Sequence, residues 1–161
     1  MRLLALMLFL CVGSYAQDKP NTKSATLGEN TFTEGMKLFV LEDYNKALQK
    51  FETVIKIEEK SAAGFYMKAR TENALNQNLK AEMSAETSVN LDKQNLYYLQ
   101  NYAEILKKNF KSTLAEKAYK DLIDLKPDYI DAYFTLLEMQ VADGKPTEAL
   151  KTLEAAEKQF G

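Results

Sequence analysis

Written in rows of thirty-four from Gly28, the sequence falls into register without a gap, as 28–61, 62–95, 96–129 and a shorter 130–161. The twentieth place of each row is alanine: Ala47, Ala81, Ala115 and Ala149. The eighth is held by Gly35, Ala69, Ala103 and Leu137, and the twenty-fourth by Phe51, Ala85, Tyr119 and Leu153. Ile57, Leu91, Leu125 and Gln159 stand at the thirtieth. A period of this length restricts the chain to one supersecondary unit stacked upon itself. No single unit can bury its apolar face alone, whereas neighbours together bury a continuous core.

Each row reads as two helices. Apolar residues recur at spacings of three and four, as in Leu106 and Phe110, then Leu114, Ala118, Leu122 and Leu125. Turn-forming residues punctuate the rhythm at Asn76-Gln77-Asn78, Ser112 and Asp143-Gly144-Lys145-Pro146. Pro146 suits the first turn of a helix, where its missing amide would be unpaired anyway. Pro127, at place thirty-two of the third row, ends one unit's second helix, and Ile130 resumes the stack. Small residues at places eight and twenty let the two helices of a pair cross closely.

The pattern resembles the tetratricopeptide repeat family, in which W-x2-L-G-x2-Y, A-x3-F and P recur every 34 residues. The matching residues are Gly35, Leu38 and Ala47-x3-Phe51 in the first row. In the third they are Tyr102-Ala103, Leu106, Ala115-x3-Tyr119 and Pro127. No row has the tryptophan, the second carries Glu72, Ala85 and Ser88, and the fourth has Leu137 at the small place. The resemblance implies an all-α, right-handed α-solenoid of about four helix-turn-helix repeats, eight antiparallel helices in all.

It also implies a concave groove lined from places 2, 5, 9, 12 and 13 of each row. The candidate partner-binding residues are therefore Phe32, Met36 and Phe39 in the first row, and Tyr66, Arg70 and Asn73 in the second. Tyr97, Lys107 and Lys108 follow in the third, and Phe134 in the fourth. Arg70 is the one arginine beyond Arg2, and arginine beside tyrosine is the composition of binding anchors. Competing assignments remain open at this level. Phe32 and Phe39 fit a groove, but equally a site covered by residues 17–27 folding back or the core of the first helix pair. Arg70 could pair with Glu104 or Glu72, and Lys107, Lys108 and Lys111 could simply solvate a face. Tyr98 and Tyr102 are assigned to packing. The carboxylate clamp with which some family members hold chaperone tails is not formed in either register, where Phe32, Met36, Met67, Tyr97 and Asn101, or Tyr66, Arg70, Asn101, Asp131 and Thr135, occupy its places.

The first sixteen residues, MRLLALMLFLCVGSYA, are expected to be a signal peptide: Arg2, an apolar run over 3–12, and small residues at Ser14 and Ala16. The run is too short to span a bilayer as a helix. Removing those 16 of 161 residues leaves 145, with residues 17–27 expected to form a flexible polar leader and 28–161 the repeat domain. Export to the periplasm or envelope of a Gram-negative bacterium is the expected localisation, without membrane insertion of the mature chain.

Cleavage also removes Cys11, the only cysteine, and the chain has no histidine. The commonest general base, metal ligand and thiol nucleophile are thus missing, and no phosphate loop, GxSxG or HExxH occurs. No catalytic residue, metal or cofactor is expected. Losing Arg2 takes 21 basic residues to 20 against 23 acidic ones, a net of −3 with both signs interspersed, which argues against a nucleic-acid binder. The expectation is a non-catalytic interaction module holding a peptide or partner protein in its groove, with a self-associating scaffold that stacks through its solenoid ends as the alternative.

Overall fold

A computed structural model describes residues 22–161, and the segment expected to be a signal peptide lies outside the described residues. Four antiparallel helix pairs follow one another along the chain. They are α1 (Thr22–Val40) with α2 (Tyr44–Ile57), α3 (Ala62–Ala74) with α4 (Asn78–Leu91), α5 (Leu96–Lys108) with α6 (Ser112–Leu125), and α7 (Ile130–Ala142) with α8 (Pro146–Phe160). Each helix packs on the next. The first helices α1, α3 and α5 also touch in turn, and so form one continuous wall. Residues 22–27, which composition assigned to the leader, belong to α1. No proline follows Pro20 in this stretch, and the Thr31 hydroxyl donates to the Leu27 carbonyl at 2.7 Å inside the helix. Pro127 lies between α6 and α7, and Pro146 sits at the start of α8.

The row register is written into the backbone. Among the described residues, positive φ occurs at Glu42 (60°), Asn76 (57°), Phe110 (58°) and Gly144 (67°), the fifteenth place of each row. Each is the left-handed residue that ends the first helix of a pair. The amide just beyond it reaches back five residues to close the turn. Asp43 donates to Leu38 O (2.9 Å), Gln77 to Glu72 O (2.8 Å), Lys111 to Leu106 O (3.0 Å) and Lys145 to Gln140 O (2.8 Å). This is the Schellman closure, and glycine suits its left-handed position best. Only the fourth pair has glycine there.

The core follows the small places. Ala47, Ala69, Ala81, Ala103 and Ala115 are fully or almost fully buried. At Gly35 the approach is closest: a Cβ there would lie 2.8 Å from Cε1 of Phe51, itself wholly buried. In the fourth pair Leu137 at the same place is half-buried, and the opposing Leu153 is turned out to 40% exposure.

The second row's departures are a buried polar link. Glu72, 1% exposed, accepts from the Ser84 hydroxyl at 2.6 Å and pairs with Lys68 at 2.8 Å. The same two places in the fourth row hold Gln140 and Thr152, whose hydroxyl donates to Gln140 Oε1 at 2.8 Å. Thr152 is therefore inside the pair, and not on the polar outer face its sequence neighbours Lys151 and Glu154 occupy. Rows one and three carry Leu38 opposite Lys50 and Leu106 opposite Ala118 there.

Repeats are tied at the turns by a periodic ion pair. Lys111 meets Glu82 at 2.6 Å, and Lys145 meets Glu116 from the same relative places one row on. Burial pushes the Glu82 carboxyl up, but hydrogen bonds from Lys111 and Asn109 outweigh it and leave its pKa below the ordinary value.

Three measurements check this account. Gly35→Ala should lose roughly 1–3 kcal/mol in urea unfolding, because the added methyl overpacks against a ring with no room to move. Phe110→Gly should gain about 1 kcal/mol, because it removes a side chain from left-handed backbone. Burial, with Glu104 and Tyr129 beside it, pushes the Tyr119 phenol up to about 12. A folded pKa above the unfolded one means that folding favours the neutral phenol. That contribution, about 2–3 kcal/mol, is complete below pH 10 and lost as pH rises towards 12. Tyr119→Phe should flatten the alkaline fall in urea midpoint.

Candidate functional site

The wall formed by α1, α3 and α5 gathers most of the sequence-derived candidates. Places 2, 5, 9, 12 and 13 fall on one stripe of each first helix, three or four residues apart. Stacking three such helices therefore assembles a surface that no one of them carries.

At the first pair, Phe32, Met36 and Phe39 are half-buried against Ala47, Phe51 and Met67. Phe32 stands edge-on to Phe51 with centroids 5.7 Å apart, and Phe39 edge-on to Tyr44 at 5.4 Å. The groove and core assignments left open by the sequence hold at once for Phe32: one edge packs in the pair, and the ring also lines a cavity of about 690 Å3. Ala25, Val54, Ile57 and Ala63 supply its apolar walls, and Glu29 and Glu58 its charges. The residues from α2 were not legible in advance, because places 27 and 30 of a row read as core.

Arg70 pairs with neither Glu72 nor Glu104. Lys68 already occupies Glu72, and Gln100 donates to Glu104 at 2.9 Å. The Arg70 guanidinium lies instead over two rings, with its central carbon 5.0 Å from the Phe39 centroid and 5.6 Å from that of Tyr66. Among the described residues no carboxylate stands within ion-pairing distance of it. Both are cation–π contacts, and they leave the guanidinium's N–H donors without a carboxylate acceptor. Tyr66 in turn lies against Tyr98, with centroids 5.0 Å apart. Tyr98, assigned to packing from its place in the row, thus continues the aromatic strip onto α5. Burial raises its phenol pKa, with Asp92 and Tyr66 adding to the effect.

Asn73 and Lys108 are joined: the Lys108 ammonium donates to Asn73 Oδ1 at 2.7 Å and reaches Asn76 Oδ1 at 3.4 Å. Lys108 is therefore a bridge between repeats. Lys107 is exposed with no ion pair among the described residues, and Tyr97 is 68% exposed. Phe134 is exposed on α7, a helix that does not touch α5. The structure so unites Phe32, Met36, Phe39, Tyr66 and Arg70, joins Asn73 to Lys108 as a separate pair, and leaves Tyr97, Lys107 and Phe134 outside both.

Chemically this is a surface for recognition: an apolar cavity, an aromatic strip and an unpaired cation in sequence. Among the described residues no cluster of three or more metal-ligating side chains occurs, and no helix is long and apolar enough to cross a membrane.

No family model matches the sequence, and no curated protein is similar to it in sequence. The fold, by contrast, is widely shared, with 205 solved chains matching it, so the fold alone assigns no ligand. A crystal structure of MamA superposes with a TM-score of 0.75 at 17% identity, covering 82% of this chain and 77% of that one. YrrB, described as a TPR protein with an unusual peptide-binding site, gives 0.71 at 16% identity, covering 86% and 74%. The first TPR of Spaghetti (RPAP3), bound to the HSP90 peptide SRMEEVD, gives 0.69 at 17% identity, covering 73% and 93%. These likenesses establish a tetratricopeptide-type α-solenoid.

Proposed function

We propose that this tetratricopeptide-type solenoid is a non-catalytic interaction module that holds an extended peptide segment of a partner protein along α1, α3 and α5. The observation that carries the reading is Arg70, an arginine on two aromatic rings without a carboxylate partner, one helix away from an apolar cavity of about 690 Å3. Such a neighbour pair accepts an apolar side chain and, next to it, an acidic or carbonyl group. Two fold neighbours, the first TPR of Spaghetti (RPAP3) and YrrB, have a bound peptide and a peptide-binding site, which supports the mode while leaving the ligand to be found. Export to the envelope belongs to the same proposal and rests on residues 1–16.

The alternative of stacking through the ends has one observation in its favour, the exposure of Leu150, Leu153 and Phe160 on α8. Against it, the opposite end presents the exposed Glu34–Lys50 ion pair (2.8 Å), which is no match for an apolar stripe.

Selection from a display library of random peptides against the full chain tests the groove. Wild type should enrich segments that combine a bulky apolar residue with a nearby acidic one. Arg70→Glu should weaken them at least tenfold, roughly the cost of removing an anchor, and Tyr66→Ala should act in the same direction. Equal recovery on wild type and both variants would sink the reading.

A further inference from the structure

The convex side carries a second feature, centred on Phe110. This ring is 94% exposed, and its backbone sits in the left-handed region at φ 58°. The equivalent places hold Glu42, Asn76 and Gly144, residues far better suited to a solvated turn. A bulky side chain in this conformation is an outlier, and neither packing nor backbone preference accounts for it.

Its surroundings are unusual in the same way. Leu79 and Met83, one turn apart on α4, are 72% and 69% exposed, and Leu114 on the first turn of α6 is exposed as well. The other three rows carry Asn45, Thr113 and Thr147 in place of Leu79, and Gln49, Lys117 and Lys151 in place of Met83. Where Leu114 stands they have Lys46, Lys80 and Glu148. Four places that hold polar residues or glycine elsewhere in the array are therefore apolar here, and they converge. Asn109 donates to Asn78 O at 3.2 Å and to Glu82 at 3.0 Å, which pins the Phe110 turn beside the start of α4. Leu114 shares a small cavity with Glu86 and Val89 of the same helix.

We propose that this patch is the surface on which a second copy of the chain pairs, about a twofold axis. Side chains of this size present on the order of 150–200 Å2 each when free, so at their exposures the four leave roughly 420–560 Å2 uncovered, within the range of a monomer's largest apolar patch. Doubled across a twofold axis, that comes to about 850–1,100 Å2, the size of a weak, reversible pairing. The rim has both signs: Lys80, Lys117 and Glu86 are charged, exposed and in no ion pair among the described residues. A twofold axis passing between the lysines and Glu86 sets one copy's lysines against the other's glutamate, which suits self-pairing. An anionic lipid surface would meet Glu82 and Glu86 as well as the lysines, and so fits less well. Pairing through the convex side leaves both concave walls free, so one particle offers two grooves.

Sedimentation equilibrium of the full chain over a concentration series is the test. Wild type should climb from 18.3 kDa towards twice that mass. Phe110→Gly should weaken pairing roughly thirtyfold, as loss of a central aromatic anchor does. It should not harm the fold, because glycine is the residue the turn prefers. Met83→Lys should act likewise, and Leu153→Lys on α8 should leave pairing unchanged. Three outcomes would overturn the proposal. One is a wild-type mass fixed at 18.3 kDa up to about 0.1 mM, well above micromolar affinities. Another is association untouched by both patch variants, as aggregation through the apolar run 3–12 would be. The last is association abolished by Leu153→Lys alone, which would place the contact at the solenoid end.

Discussion

The close crossing of two helices within a pair is the constraint from which the remaining architecture follows. Backbones approach where side chains are smallest, at the eighth and twentieth places, and Gly35 against Phe51 is the extreme case. The left-handed residue at the fifteenth place turns the chain so that this crossing can form, and the reach-back hydrogen bond fixes the turn. With crossing and turn repeated, each first helix must fall beside the previous one. The concave wall is a consequence of that repetition.

The wall's chemistry is then set by what each row adds to a common backbone. The first row contributes rings and a cavity, and the second a cation lying on them. Glu72, two residues beyond Arg70, faces the interior, where Ser84 and Lys68 bind it, and helix residues two apart do not face each other. The guanidinium thus has no carboxylate beside it and stands over the two rings.

Helix number, pairing and the positions of Pro127 and Pro146 were legible in the sequence, because spacing alone specifies them. So was the grouping of Phe32, Met36, Phe39, Tyr66 and Arg70, since helical periodicity places them on one stripe. The partner of Arg70 was not legible. Lys68 and Ser84 take Glu72 and Gln100 takes Glu104, and only packing decides such choices. Tyr98 was missed because its place in the row reads as core, although the ring spans the gap between α3 and α5. The start of α1 was misplaced for a different reason: polar composition marks solvent exposure, and an exposed first turn of helix looks the same as a leader. Phe110 fitted the apolar rhythm of its row, so neither its exposure nor its backbone conformation was foreseeable from periodicity.

The periodic lysine–glutamate pair at the turns has a consequence for how the array holds together. It joins the second pair to the third and the third to the fourth, but at the first junction the corresponding places hold Leu48 and Gln77. Among the described residues no ion pair crosses there. Coupling between adjacent units is thus of two kinds in one short array: ion pairs at two junctions, and packing with Arg70 over the Phe39 ring at the first. At high ionic strength the ion-paired distal junctions therefore lose more of their coupling than the one that joins the unit bearing the apolar cavity.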